Sequence, residues 1–484
     1  MKNDRIVDDI IEYFKLIAKV PRKSGNEKAV SDMLKEWAEE RGFKVKQNKA
    51  NDLIIDVPAA GGLEKAPLVA LQAHMDMVCV AKEGKKFDFF KDPIRLVIDG
   101  KAGTMKADGT TLGADDGIGV AMIMGIMDGK MPHGPIRAIF TTNEETGMDG
   151  ALALKKEDLE GVKYLINIDS EESDTVTISS AADAILSVTR KVKTVKAENK
   201  HALQINLSGL HGGHSGTEID RNYCNANIAM AQILKNLRKK TKYELVYMRG
   251  GTADNAIPQK AEALIQIRKK DVDKVRKFVE KQKKDIIDNY KEKNSKVELY
   301  TSRQTVSKKV LDKNLVKNTL KYILKCVNGV YTMSEDIKGL VESSSNLGQM
   351  RIGADDLGFE IRHQARSSSS SKLKEIVKKQ SKLAKQCKLS VEKERGSKAW
   401  PINKNSVLVK KICDVYRDQN GHKMKALAIH AGLECSVFAD LKPDLDIASI
   451  GPDVVGAHSP EETLKLGSII KIWKLLEGVL GSLS

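Results

Sequence analysis

The residues with the clearest capacity for chemistry are two histidines and a set of carboxylates scattered along the chain. His74 and Asp76 close the stretch LVALQAHMD, Asp115 and Asp116 lie in TTLGADDGIG, and Glu144 and Glu145 follow the strand-like Pro135 to Thr142. Asp169 ends the apolar run Tyr164 to Ile168, and His458 stands in GPDVVGAHSPEE. Side chains alternate along a strand, so His74 and Asp76 point to one side of its end, where a ligating imidazole and the carboxylate that fixes its tautomer belong. A buried histidine bonded to a neighbouring aspartate would show the same two residues. Asp115 sits on a turn feeding an apolar helix, where it can bridge two ions or simply complement a helix dipole. Adjacent glutamates diverge, so one can ligate metal while the other faces a reacting water; a surface acidic turn is the plainer alternative. Two histidines and three carboxylates gathered at the carboxyl ends of strands are what a pair of divalent ions needs, with one carboxylate shared.

The elements that must position them read as mixed helix and strand. Ile6, Ile10, Phe14 and Ile17 recur at helical spacing, and a second helix runs from Asn26 to Gly42 with Met33, Leu34 and Trp37 inward. Strands are expected at Lys44 to Gln47, Leu53 to Val57 and Leu68 to Ala73, with a core helix at Ile118 to Met127. From Ala184 a different plan begins: strands at Ala184 to Val192, Leu203 to Leu207, Tyr243 to Met248 and Ala263 to Arg268, and helices at Asn225 to Leu237, Val272 to Tyr290, Lys313 to Val327 and Lys372 to Lys385. Near Trp400 the chain returns to the first plan, with a helix at Ser406 to Gln419 and a strand at Leu445 to Ile450. Ser459, Pro460 and Glu462 fit N-cap, first position and capping-box glutamate of a last helix. A chain of 484 residues exceeds one ordinary core. The expectation is an α/β catalytic domain from residues 1–183 and 400–484, interrupted by an α+β domain at 184–399.

Composition narrows the class. No apolar run spans a membrane, the N-terminal helix carries acids throughout and is no signal peptide, and six cysteines lie without a CxxC pair. A cytoplasmic protein without a membrane partner is expected. The net charge of +16 comes largely from lysines on helices such as Lys269 to Lys293 and Lys372 to Lys388, mixed with acids and without interleaved aromatics. That pattern is a solvated face rather than a nucleic-acid site.

The stretches AHMDMVC, TTLGADDGIG, TTNEETGMDGA, INIDSEE, GGHSG, NAIP, HAGLEC and GPDVVGAHSPEE occur in this order over nearly the whole chain. Together they resemble the M20 metallopeptidases, most closely the aminoacyl-histidine dipeptidase (Xaa-His dipeptidase, carnosinase-like) branch. The resemblance implies a mixed-sheet dinuclear-metal aminopeptidase-like catalytic domain with an inserted lid domain. His74 and Asp169 would hold one ion, Glu145 and His458 the other, and Asp115 would bridge them. Asp76 would orient His74, and Glu144 would act as general base. His214, Asn255 and Arg366 would contact substrate, although His214 also fits a plain turn and Arg366 a serine-rich helix cap; His211 reads as structural. The ions implied are two Zn2+, or Co2+ or Mn2+, roughly 3.5 to 4 Å apart and sharing a water that attacks as hydroxide. The activity implied is hydrolysis of unblocked dipeptides, including Xaa-His and β-alanyl-histidine types, with deacylation of N-acyl amino acids as the alternative, in a homodimer joined through the lid. His430 and Glu434, four residues apart, stand as supporting or substrate-proximal groups. Three positions depart from the pattern: Asp116 where asparagine is common, Ser436 for glycine and Ala457 for proline. Asp116 would add negative charge beside the ions.

Overall fold

The computed structural model describes residues 2–290, 296–335, 337, 339–354 and 357–483. The chain forms two compact units: unit 1 comprises Met1–Ser179, Trp400–Ala428 and Leu433–Ser484, and unit 2 comprises Ser180–Ala399 and Ile429–Gly432.

Unit 1 is α/β. Among the described residues its main sheet has eight strands, in the order Lys44–Gln47, Leu53–Val57, Ile136–Thr141, Val69–His74, Tyr164–Asn167, Asp446–Ser449, Thr175–Ser180 and Lys425–Ile429. The four central strands run parallel. Val69–His74 and Tyr164–Asn167 are buried along their whole length, as parallel strands covered on both faces must be. Their apolar residues join one core with the helices Lys2–Ala18, Ala114–Met127, Val407–Asn420 and Leu466–Leu480. Ala114–Met127 is apolar all round because it is buried all round; its Gly125 faces Ile10 and Trp473 so closely that a Cβ would lie 2.6 Å from Ile10 Cδ1. Parallel strands that end together leave their carboxyl termini on one edge, and there His74, the Glu144–Glu145 turn and Asp169 stand.

Unit 2 is α+β. Its nine-stranded antiparallel sheet, again among the described residues, includes His201–Ser208, Glu244–Gly250, Ala261–Ile267, Val341–Gly353 and Phe359–Ser367. The helices Ala226–Arg238, Val272–Asn289 and Lys313–Ile323 share its core.

One expected element is corrected. Ser459 to Glu462 do not start the last helix: they form a turn, Thr463–Lys465 is a strand paired with Thr104–Ala107, and the helix begins at Leu466. The Glu462 carboxylate is drawn instead to four backbone N–H groups of residues 112–115, a stronger set of donors than one helix end on its own segment.

Candidate metal centre

His74 is the last residue of its strand and is buried. Its Nε2 lies 3.1 Å from Asp115 Oδ1 and 3.6 Å from Asp169 Oδ1. His458, whose side chain is 52% exposed, places Nε2 3.0 Å from Asp115 Oδ2 and 3.0 Å from Glu145 Oε2. Asp115 thus faces one histidine with each oxygen. The ligand atoms of His74, Asp115 and Asp169 lie within 4.8 Å of one another, as do those of Asp115, Glu145 and His458 and those of His74, Glu144 and Glu145.

Local backbone explains how these side chains converge. Asp115 and Asp116 depart from helical angles within the first turn of Ala114–Met127, so Asp115 leaves the axis of that helix. Asn143 (φ 58°) and His458 (φ 64°) adopt left-handed backbone, which turns Glu144 back over the strand ends and aims the His458 ring inward. Asp76 works twice. Its Oδ1 is 3.3 Å from His74 Nδ1, a contact too poorly aligned to satisfy the ring N–H, and the same oxygen accepts the Glu144 N–H at 3.0 Å. Its Oδ2 accepts from Ser24 Oγ (2.7 Å) and the Glu145 N–H (3.3 Å). Glu27 steadies the same turn by accepting the Asn143 N–H at 3.0 Å.

The electrostatics call for a cation. Burial is the largest influence on His74 and opposes its charge, yet Asp169, Asp115 and Asp76 together hold it well above the usual imidazole range. Hydrogen bonds to Asp115 and Glu145 push His458 up to about 11. Burial raises Asp115 as well, but its bonds to the two histidines outweigh this and hold it well below the carboxylate range. Burial pushes Asp169 up to about 7 and Glu171 up to about 8, with neighbouring acids adding to the shift. Glu144 stands well above the carboxylate range, chiefly through burial and then through Asp169, Glu145 and Glu434 against His74. Glu145 Oε1 is buried without a partner. Two histidine rings and crowded buried carboxylates, one with an unpaired oxygen, are the donor set of a divalent-ion site, so the residues fit metal.

Asp116 lies beside this cluster, where Asp169 and Asp115 add to the effect of burial on its carboxyl and His74 opposes them. It is buried, accepts the His74 N–H at 3.2 Å and the Gly119 N–H at 3.2 Å, and burial raises it well above the carboxylate range. His430 and Glu434 share no helical face, because the helix starts at Cys435 and His430 lies in unit 2. Glu434 Oε2 accepts from Gln72 Nε2 (2.7 Å) and Thr141 Oγ1 (2.6 Å), bracing the strands that carry His74 and the glutamate pair.

The expected substrate residues lie in unit 2. Arg366 is on the strand Phe359–Ser367, and the helix cap there is Ser369. Its guanidinium is buried, donates Nη2 to Gln364 Oε1 at 3.0 Å and leaves Nε unpartnered. Ser344 pairs with Arg366 in the sheet and bonds His430 Nε2 at 2.7 Å. Burial, Arg366 and His214 push His430 down to about 3, and its Nδ1 is unpartnered. A Cβ on Gly216 would lie 2.6 Å from the His430 carbonyl and 3.0 Å from His214 Cε1. His214 accepts the Thr217 N–H on Nδ1 at 3.3 Å, while Asn255 is exposed and uses its carbonyl to accept the Ser215 N–H at 2.7 Å. His211 stacks on Tyr223 with ring centroids 4.8 Å apart. His430 therefore joins the Arg366 group, and the HAGLEC stretch was its one sequence signal.

A mixed α/β domain with paired histidine and carboxylate clusters at its strand ends has the architecture of a dinuclear-metal peptidase. Residues 70–482 match the model of Peptidase family M20/M25/M40, and the chain belongs to that family. It is 32% identical over 474 residues to the cytosol non-specific dipeptidase of Escherichia coli (strain K12), covering 97% of this chain and 96% of that one. It superposes with a TM-score of 0.83 on an aminoacylhistidine dipeptidase from Vibrio alginolyticus, at 29% identity and over 98% and 96% of the two chains. A tripeptidase from Staphylococcus aureus shares the fold, with a TM-score of 0.55 at 15% identity over 98% and 97%. No helix of the described residues is long and apolar enough to cross a membrane.

Proposed function

We propose that the chain is a metal-dependent dipeptidase acting on unblocked dipeptides, Xaa-His and β-alanyl-histidine among them. The carrying observation is the Asp115 carboxylate, which faces His74 with one oxygen and His458 with the other. His74 and Asp169 would hold one ion and Glu145 and His458 a second, with Asp115 contributing to both. When bound, the ions, of which Zn2+ suits the mixed nitrogen and oxygen donors with Co2+ and Mn2+ next, would supply Lewis acidity. Glu144 takes the proton of the attacking water and returns it to the leaving nitrogen. Its burial suits that role, since a carboxyl held above the usual carboxylate range both accepts and returns a proton more readily than an exposed one. Asp76 holds the Glu144 amide and flanks His74. Arg366 pairs with the substrate carboxylate, Asn255 lies along the substrate, and His214 faces the developing oxyanion. Unit 2 is the substrate-binding domain and joins two copies into a homodimer, and the enzyme works in the cytoplasm; the names of the Escherichia coli and Vibrio alginolyticus relatives support the substrate and compartment.

The test is metal analysis of the purified protein followed by turnover on free, N-acetylated and C-amidated forms of the same dipeptides. Two ions per chain and a clear preference for the free forms are expected. Cleavage of N-acyl amino acids without cleavage of free dipeptides would replace the reading with deacylation.

A further inference from the structure

Three segments distant in sequence bring the candidate ligands together: the strand end His74–Asp76, the turn Leu112–Asp115 and the loop carrying His458. They carry His74, Asp76, Asp115 and His458, and the distances among these side chains depend on how the three backbones are held together. Behind them lies a buried pair that touches all three segments. Glu462, 2% exposed, accepts the N–H groups of Leu112 (2.8 Å) and Gly113 (3.0 Å) on Oε2 and those of Ala114 (2.8 Å) and Asp115 (3.3 Å) on Oε1. The anion seat at the start of the helix Ala114–Met127 is therefore filled by the chain itself. Glu462 is four residues from His458, and Ser459 Oγ closes the intervening turn on the Gly456 carbonyl at 2.7 Å.

Arg22, also 2% exposed, donates Nη1 to the carbonyls of Met75 (3.0 Å) and Asp76 (2.8 Å), and Nη2 to that of Gly113. A Cβ at Gly113 would come 2.4 Å from Nη2, and one at Gly117 would come 2.6 Å from it, so glycine at both positions admits the guanidinium. Gly113 also has φ 70°, a conformation that other residues rarely take. Burial works against the Arg22 charge, and Glu462 is the strongest influence sustaining it.

We propose that Arg22 and Glu462 are positioning residues for the metal centre: Arg22 locks the His74–Asp76 strand end to the Gly113 turn, and Glu462 locks that turn to the His458 loop. An aspartate at a helix start ordinarily turns back to cap its own amides. Here Glu462 accepts the Asp115 N–H and those of the three residues before it, which fixes the backbone from which both Asp115 oxygens reach the histidines. The inference rests on the reading of Asp115 as the shared ligand.

Full-length protein stripped of ions, titrated with Co2+ and followed by calorimetry and by the visible Co2+ spectrum, tests it. Wild type should take two ions. Glu462→Gln, which keeps the shape but turns an NH2 toward amide donors, should weaken the ion held by Glu145 and His458 by tenfold or more and alter its spectrum. Glu462→Asp should recover part of that loss, and Arg22→Lys should weaken chiefly the ion held by His74 and Asp169. If Glu462→Gln and Arg22→Lys lower the melting temperature of the ion-free chain while both affinities stay within twofold of wild type, the pair merely supports the fold and the proposal is overturned. A wild type that binds fewer than two ions would overturn the metal-centre reading and this inference with it.

Discussion

The buried polar groups of the candidate metal cluster in unit 1 and those around Arg366 in unit 2 carry opposite charge: carboxylates surround two histidines in the first, and a guanidinium stands by a histidine in the second. In unit 1, where the neighbouring carboxylates hold His74 and His458 above the usual imidazole range, the unpartnered atoms include the carboxyl oxygens Glu145 Oε1 and Glu434 Oε1 as well as His74 Nδ1 and Arg22 Nε. In unit 2 they are Arg366 Nε and His430 Nδ1, beside a histidine that burial and a guanidinium keep neutral. Arg366 Nε is a donor by its chemistry, and the neighbouring His430 ring meets the Ser344 hydroxyl through Nε2 at 2.7 Å. Leaving a buried polar group unpaired costs about 1 to 3 kcal/mol, so groups left this way mark where a missing partner binds. The carboxylates of unit 1 suit cations and the guanidinium of unit 2 suits an anion, the two kinds of partner that a metal-dependent dipeptidase handles.

The largest expected effect breaks the chemistry of unit 1 while leaving the expected ligands in place. Glu144→Gln should lower kcat by about 10² to 10⁴-fold while ion content stays near that of wild type. A loss under about tenfold, measured with ion content in the same preparation, would remove Glu144 from the role of base. Next in size, Arg366→Ala should cost about 10 to 100-fold in kcat/KM on a free dipeptide and much less on its C-terminal amide, since hydrogen bonds to charged groups contribute about 1.5 to 3 kcal/mol. Equal losses on both substrates would return Arg366 to a structural part and erase the contrast between the units.

The smallest effect is on stability. His363 is buried in unit 2, 3.1 Å from the Tyr322 hydroxyl, and burial pushes it down to about 3. From about pH 6.5, the ordinary histidine value, down to about 3, the unfolded chain binds a proton that the folded chain refuses. Stability therefore falls as pH drops through that window, by up to tenfold in the folding equilibrium per pH unit for this one group. His363→Gln should make the urea midpoint fall less steeply between pH 6 and pH 4; an unchanged slope would show that His363 is not a source of the acid sensitivity.

How far the sequence could be read follows from the range of each interaction. The strands ending at His74 and Asn167 were legible as apolar runs because a buried parallel strand needs nothing more local than that. The expected ligands were legible because each stands at the end of such a run or in a distinctive turn. Glu462 was misread because Ser459, Pro460 and Glu462 satisfy a local capping rule, while its actual partners lie 347 to 350 residues away. Arg22 carried no signal at all: its partners are backbone carbonyls, which every residue has. Asp116 was legible as a charge beside the cluster because it follows Asp115 directly, but its bond to the His74 N–H was not, since that partner lies 42 residues away.

The central claim, that Asp115 is the carboxylate shared by two ions, is tested most directly by counting ions in wild type and Asp115→Ala after equilibrium dialysis against Zn2+, with turnover measured on the same samples. Two ions per chain in wild type, and at most one weakly held ion with no measurable turnover in the variant, are predicted. An Asp115→Ala protein that keeps two ions and its activity would contradict the account.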